Sequence, residues 1–588
     1  MDSARLGPDA RRAALARMGG EVFDVVVVGG GVTGLGCAVD AATRGLSVAL
    51  VEQRDFAAGT SSRSSKLIHG GLRYLEQLNF GLVQEALVER SLLLGRLCPH
   101  LVRPVSFLYP LRHRVWERAY VGAGVALYDA LAARTGSEPA GRLPRHRHLS
   151  RSGCLELAPG LRKGALVGGI LYWDAEVDDA RHTLALARTA ALHGAALATS
   201  VRAIGLLREG ERIVGVRAVC LESGDRFVVL GRQVVNATGV WTDHVQDFAG
   251  RGQIRVRASK GIHLVVPRER LHSDTGLVLR TEKSVLFVIP WGRHWILGTT
   301  DTDWNLDLAH PAASAADIDY LLERANRVLA QPLGRADIEG VYAGLRPLLH
   351  GESEETSRLS REHAVSQTVA GLVTVAGGKY TTYRVMARDA VDAAARGLPG
   401  PVAPSCTHRT PLVGADGYEA LWNRRARLAA EWGLEPARAE RLLGRYGSRA
   451  GEVLAPLREH PELGRPLGGA EDYLEAEIRY AASHEGALHL DDALTRRTRI
   501  SIETFHRGTA CARRAAELLG DVLGWSEVDR QREVAHYEAR VRAERESQAQ
   551  GDDQTADAAR LGAPDVRLGR VPATVVDGLG RRSPGAAS

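Results

Sequence analysis

Residues 22–28, VFDVVVV, run straight into Gly29-Gly30-Gly31-Val32-Thr33-Gly34, and no other stretch of the chain restricts its fold so tightly. The apolar, β-branched run has the pattern of a buried strand. A helical pattern follows the glycines as far as Gly45, a second strand pattern covers Ser47 to Val51, and Glu52 closes it. GxGxxG spacing through Gly29, Gly31 and Gly34, between a strand and a helix and ahead of an acid-ended strand, is the signature of a Rossmann dinucleotide site. Gly29 permits the tight turn, Gly31 lets a pyrophosphate approach the backbone, and Gly34 lets the helix pack closely. The helix N-terminus faces the anion. Glu52 can accept hydrogen bonds from a ribose diol and would repel a 2′-phosphate.

The glycines leave open which dinucleotide is bound. The next segment, TSSRSSKLIHGGLRY at 60–74, is rich in hydroxyls and glycine. A chain built for NAD usually enters another strand–helix unit here. A long polar crossing suits an isoalloxazine ring, so FAD is the expected cofactor. Lysine usage sharpens the reading: of 76 Lys and Arg residues only Lys66, Lys163, Lys260, Lys283 and Lys379 are lysine. In a chain so biased toward Arg, a Lys can mark a place that wants a compact ammonium.

At 588 residues the chain is too long for one core, so two or more domains are expected. Strand patterns (212–219, 227–235, 262–266, 285–290, 295–300, 372–376) alternate with helical ones (82–97, 179–193, 315–330, 380–396). The fold class is α/β: a Rossmann-type FAD-binding domain interleaved with a mixed-sheet substrate domain, plus a C-terminal all-α domain. The expected bounds are a leader extension over 1–20, disordered or helical, and the FAD-binding domain with its substrate segments over 21–398. A linker over 399–415, a helical domain over 416–545 and a disordered tail over 546–588 follow. Six scattered cysteines without a CxxC pair argue against a zinc or disulfide framework, and no metal is expected. A net charge of +6 from interspersed ions gives no reason to expect nucleic acid. No apolar run reaches eighteen residues and no apolar signal core precedes the first strand, so a cytosolic protein is expected.

Flavin oxidation of a secondary alcohol, the reaction that the chain's resemblance to a known flavoenzyme family implies, needs a hydride acceptor, a base for the hydroxyl proton and a grip on the rest of the substrate. His263 is the candidate base, with Lys379 or Arg346 stabilising the forming alkoxide. Arg73, Arg346 and Arg384 lie in GGLRY, AGLRPL and KYTTYR, and the resemblance of these motifs to a known flavoenzyme family makes them the candidate anion-binding residues; guanidinium groups hold phosphate bidentately. Tyr74 is read as either a donor to substrate or a packing residue. Lys260 is read as either near substrate or an exposed strand end.

From about residue 22 to 540 the chain resembles the FAD-dependent glycerol-3-phosphate dehydrogenases. The resemblance rests on GGGVTG, TSSRSSKLIHGGLRYLE, VNATGVWTD, SKGIHLVVPR, VIPWGRHWILGTTDTDW, AGLRPL, GGKYTTYR and DDALTRRTR. Ile262 and Tyr380 depart from the usual Ser and Leu, and no calcium-loop pattern follows the helical region. The resemblance implies that Gly29, Gly31, Gly34 and Glu52 hold the ADP half of FAD, with Val201 on the adenine side and Ala237 to Gly239 passing the pyrophosphate. It implies that Thr60, Ser61, Ser62, Ser65, Lys66, Leu67 and His69 line the pyrophosphate and flavin, and that Gly378, Lys379 and Thr381 lie at the pyrimidine edge. The implied reaction converts sn-glycerol 3-phosphate to dihydroxyacetone phosphate, with electrons leaving to membrane quinone from an enzyme lying on the inner face of the cell membrane. A homodimer is among the expected assemblies. Residues 114–135, with Arg, Trp and Tyr around a short apolar stretch, are read as an interfacial segment or an ordinary packed helix. Oxygen as acceptor, and a flavin-binding redox or sensor module, are the alternatives.

Overall fold

The computed structural model describes residues 4–71, 73–76, 79–135, 141–250, 252–281, 285–350 and 362–570. The opening strand, Val22–Val28, lies inside an eight-stranded sheet. It pairs in parallel with Arg226–Asn236 on one side and Val48–Val51 on the other. Val25 to Val28 are all buried, as a strand covered on both faces requires. Helix Val32–Thr43 presents Gly34, Gly36, Ala38 and Ala41 to its neighbours, so helices Tyr383–Ala395 and Asp179–Leu192 pack closely against it. Strand Ala196–Ala198 continues the sheet beyond Val48–Val51.

A second, ten-stranded sheet carries the substrate side. Its pairs are antiparallel except where Gly276–Arg280 runs parallel to Val102–Leu111, so the sheet is mixed. Strand Val256–Pro267 is its spine, pairing with His294–Gly298, Thr302–Trp304 and Gly340–Leu349. Alternation along that spine places Ile262, Leu264 and Val266 in one core and Val265 in another.

Beyond residue 416 helices dominate, around a core that includes Leu442, Tyr473, Ile478, Leu494, Leu519 and Tyr537. The all-α expectation misses one small hairpin, Pro466–Leu467 with Ala470–Leu474. This region docks on the nucleotide domain through buried ion pairs. Arg496 and Arg497 reach Asp55 at 2.6 and 2.5 Å, and Arg499 holds Asp178 at 2.5 Å as well as Asp179. Those three arginines belong to the DDALTRRTR segment, so its charges serve docking.

Of the two alternatives for the leader, the described residues take the helical one, and residues 546–570 are more ordered than expected. Residues Pro8–Gly20 form a helix whose Ala14 and Met18 join the core against the first sheet. The expected disorder from 546 does not describe residues 546–570. Helix Glu527–Ser547 is followed by helix Asp553–Arg560 and a turn at Val566–Arg570. Few large apolar residues occur there, but Ala556 is fully buried and Arg567 pairs with Asp492, and the sequence gives no signal of either partner. Residues 571–588 lie outside the described residues.

Candidate active site

A cavity of about 2150 Å³ opens between the two sheets. That is more than one small-molecule pocket usually needs and suits a dinucleotide with a substrate beside it.

At one end the glycine turn forms an anion cradle. Gly29 has φ +112°, and a Cβ there would sit 2.7 Å from the Ala237 carbonyl oxygen. A Cβ on Gly34 would overlap the Gly29 carbonyl oxygen, so Gly34 serves the helix–strand approach and does not line the cavity. Gly31 and Thr33 do line it, and Ser61 Oγ accepts from the Val32 N–H at 2.9 Å, covering part of the helix N-terminus. Glu52 accepts from the N–H groups of Gly30 (2.7 Å) and Arg54 (2.8 Å). Burial nevertheless pushes its carboxyl above the usual range, which favours further donors such as a ribose diol. The Val201 N–H donates to the Glu52 carbonyl at 2.8 Å, and Val201, Ala237 and Gly239 (φ +59°) face the same space.

Arg63, which sequence reasoning passed over, also lines this end. Burial and the charges of Arg54, Arg496 and Arg560 push its guanidinium down to about 9. Arg54 lines the same end, and cations beside an anion cradle fit a pyrophosphate. The signal was a single Arg set among serines in the hydroxyl-rich loop.

Toward the other end, Thr60 donates to the Leu345 carbonyl at 2.6 Å and ties that loop to strand Gly340–Leu349. Thr381 Oγ1 accepts from the His69 N–H (3.2 Å) and donates to the His69 carbonyl (3.3 Å), joining two segments three hundred residues apart. Gly378 has φ +76°, and Lys379 Nζ sits 3.6 Å from the centre of the Tyr74 ring. Leu67, His69, Tyr74, Gly378, Lys379 and Thr381 all line the cavity.

His263 lies on the spine strand, opposite Gly298 on one neighbour and Tyr342 on the other. Its ring stacks on Tyr342 at 4.7 Å with planes 11° apart, and Nε2 meets Ser65 Oγ at 2.8 Å. Nδ1 is buried with no hydrogen-bond partner among the described residues. Burial, reinforced by the Arg346 and Lys66 charges, holds the imidazole well below its usual pKa, so it is neutral at rest. Arg346 faces Ser259 across the same strand pair and donates to Thr299 Oγ1 and the Thr300 carbonyl, both at 3.1 Å. Thr299, Thr300 and Asp301 were not anticipated. They follow a strand whose sequence gives no sign of lying beside residue 346.

Four expected positions are placed elsewhere. Lys66 is fully buried behind Tyr342, where Nζ pairs with Asp179 at 2.8 Å and donates to the Ser62 carbonyl at 3.2 Å. It acts on His263 by its charge and not by lining the cofactor space. Ser62 is turned inward, its carbonyl also accepting from Arg499 at 3.3 Å. Arg384 is bound by Glu89, with Nε donating at 2.8 Å, and joins helix Tyr383–Ala395 to helix Phe80–Leu92, so it does not reach the cavity. Lys260 is neither near substrate nor exposed: it is fully buried between Asp317 (2.6 Å) and Asp553 (2.5 Å). Arg73 opens the short helix Arg73–Glu76, and its side chain lies outside the described residues.

Together, the parallel strands around Val22–Val28, the glycine cradle beside Glu52, and a second sheet closing over the far end define an FAD-dependent oxidoreductase. A family model described as FAD dependent oxidoreductase matches residues 24–384. A second, described as the C-terminal domain of alpha-glycerophosphate oxidase, matches residues 405–530. The chain is 59% identical over 566 residues, 96% of each chain, to a glycerol-3-phosphate dehydrogenase of Mycobacterium leprae. It is 38% identical to the mitochondrial glycerol-3-phosphate dehydrogenase of Mus musculus, over 87% of this chain and 72% of that one. The solved structure of the glycerol-3-phosphate dehydrogenase from Bacillus halodurans, complexed with FAD, matches with a TM-score of 0.74 at 28% identity, covering 92% of this chain and 98% of that one. The chain belongs to the FAD-dependent glycerol-3-phosphate dehydrogenase family.

Proposed function

We propose that this protein oxidises sn-glycerol 3-phosphate to dihydroxyacetone phosphate and passes the electrons to membrane quinone. The observation that carries this reading is the meeting of His263, Arg346 and Lys379 in one cavity from three distant parts of the chain. FAD, when bound, would supply the acceptor for the hydride of C2. His263 accepts the proton of the C2 hydroxyl. Burial, with the Arg346 and Lys66 charges, keeps this base neutral and ready to accept that proton. Arg346, braced by Thr299 and the Thr300 carbonyl, and Lys379, held against Tyr74, supply the positive field for the phosphate and the developing alkoxide.

The quinone arm is supported by helix Trp116–Ala133. Trp116, Tyr120 and Leu127 are 56%, 53% and 40% exposed, Val115 just ahead is 80% exposed, and Tyr120 and Leu127 also border the cavity. An apolar strip continuous with the cavity suits an enzyme lying on the inner face of the cell membrane. No described helix is long and apolar enough to cross a membrane.

Anaerobic addition of glycerol 3-phosphate is expected to bleach the bound flavin, and a quinone analogue to restore its absorbance. Retained flavin that no phosphorylated polyol bleaches would overturn the substrate assignment. Stoichiometric peroxide without quinone reduction would reassign the acceptor to oxygen.

A further inference from the structure

We propose that the C-terminal segment 553–568 is part of the cofactor site, forming the outer wall over the adenosine half of FAD and governing how slowly FAD leaves. The two family models end at 384 and 530, so neither assigns this segment a role.

Its placement comes first. Asp557, Leu561, Pro564, Asp565, Arg567 and Leu568 line the same cavity as Glu52, Val201 and Arg202. Arg567 fixes which end of the cavity is covered. Its Nε donates to Ser200 Oγ at 2.8 Å, and the next residue, Val201, donates its N–H to the Glu52 carbonyl. Arg567 therefore sits against the backbone that is tied to Glu52, at the end of the cavity where the first two strands close.

The segment is pinned at both ends. Asp553 Oδ1 meets the buried Lys260 Nζ at 2.5 Å on the substrate-side sheet. Arg567 donates to both oxygens of Asp492 at 2.9 Å in the helical domain. Between these anchors Ala556 is fully buried with Val240, Trp304 and Leu345, and Arg560 reaches His310 Nδ1 at 3.3 Å. The wall thus spans three parts of the molecule, and FAD cannot leave past it until at least one buried ion pair separates.

The chemistry of the inner face points to a ligand as well. Asp557 lines the cavity with Oδ1 buried and without a hydrogen-bond partner among the described residues. Burying an acceptor is costly unless a donor meets it. The hydroxyls and amino group of an adenosine are such donors.

Three full chains would be compared as holoenzymes: the wild type, Arg567→Ala and Asp553→Asn, beside a chain ending at Gly551. FAD release is read from the recovery of free-flavin fluorescence after dilution, and the apoproteins are titrated with ADP and with FMN. Release should quicken about tenfold or more in the shortened chain and by a smaller factor in the two point variants, the cost of charge-assisted bonds lost. ADP affinity should fall by a similar factor while FMN affinity holds, because FMN lacks the adenosine half. Arg567→Lys should recover part of the loss. Unchanged release and ADP affinity in chains that unfold cooperatively would overturn the proposal. Equal losses of ADP and FMN would also overturn it, since general damage would then explain them. If the shortened chain does not fold, the two point variants decide by the same readouts.

Discussion

At the scale of single residues, two arginines that look alike in the sequence have opposite fates. Arg346 borders the cavity, whereas Arg384 is buried against Glu89. Arg346→Ala should lower kcat/KM for glycerol 3-phosphate by roughly 10- to 100-fold with little change in melting temperature, the loss of one or two charged hydrogen bonds. Arg384→Ala should instead leave Glu89 buried and unpaired, costing about 3–5 kcal/mol of stability, with KM unaltered in the enzyme that remains folded. Steady-state kinetics beside thermal unfolding separates the two. The pH dependence of His263 follows from its environment. A base works deprotonated, and a depressed pKa extends the deprotonated form toward acid, so kcat/KM should show no loss from this group until well below pH 6.5. His263→Asn should lower kcat by about 10²- to 10⁴-fold at every pH in that range. An acid limb near pH 6.5 that vanishes in His263→Asn would refute the depressed pKa.

At the scale of elements, helix Trp116–Ala133 turns Gly122, Val125 and Tyr128 inward and Trp116, Tyr120 and Leu127 outward. Replacing Val115 and Trp116 together by Ser changes exposed residues that do not border the cavity, so folding and reduction of a soluble dye should persist. Co-sedimentation with anionic vesicles and quinone reduction should both fall. If both are unchanged, the strip is not the membrane contact. The motif of the first strand, the glycine turn and the following helix was legible because its signals are local: β-branched residues, glycine spacing and a terminal acid all act within thirty residues. Strands of the second sheet were visible one by one, but their order was not. Which strand lies beside His263 depends on pairings such as His263 with Tyr342, almost eighty residues away.

At the scale of the molecule, His489 joins the helical domain to the nucleotide domain. It is buried, with Nε2 2.9 Å from Glu222 and Nδ1 3.0 Å from Glu533. Burial and the Arg567 charge oppose its protonation, but the two carboxylates prevail and raise it to about 9. Its folded pKa thus exceeds the unfolded value of about 6.5, so its contribution is complete below 6.5 and is lost as pH rises through about 9. That contribution is on the order of 3 kcal/mol. The stability difference between wild type and His489→Gln, followed by denaturant midpoint from pH 6 to 9.5, should shrink across that window. A difference that stays constant would exclude this linkage.

What the sequence determined by itself is the dinucleotide unit. Gly29 must adopt a positive φ, Gly34 must let a helix reach its strand, and Glu52 must end the second strand, all within one supersecondary unit. The hydroxyl-rich loop added the flavin, and the later motifs pointed to His263, Arg346 and Lys379. Only the tertiary structure decided which charges face the cavity and which are used up inside the protein. Lys66, Arg384 and Lys260 share the chemistry of Arg346 and Lys379, but Asp179, Glu89 and the pair Asp317 and Asp553 neutralise them. A cation's role is set by the carboxylate that folding brings to it, and those carboxylates lie from 57 to 295 residues away. The order of residues 546–570 has the same cause. Their composition predicts disorder, and the buried partners that hold them come from other domains.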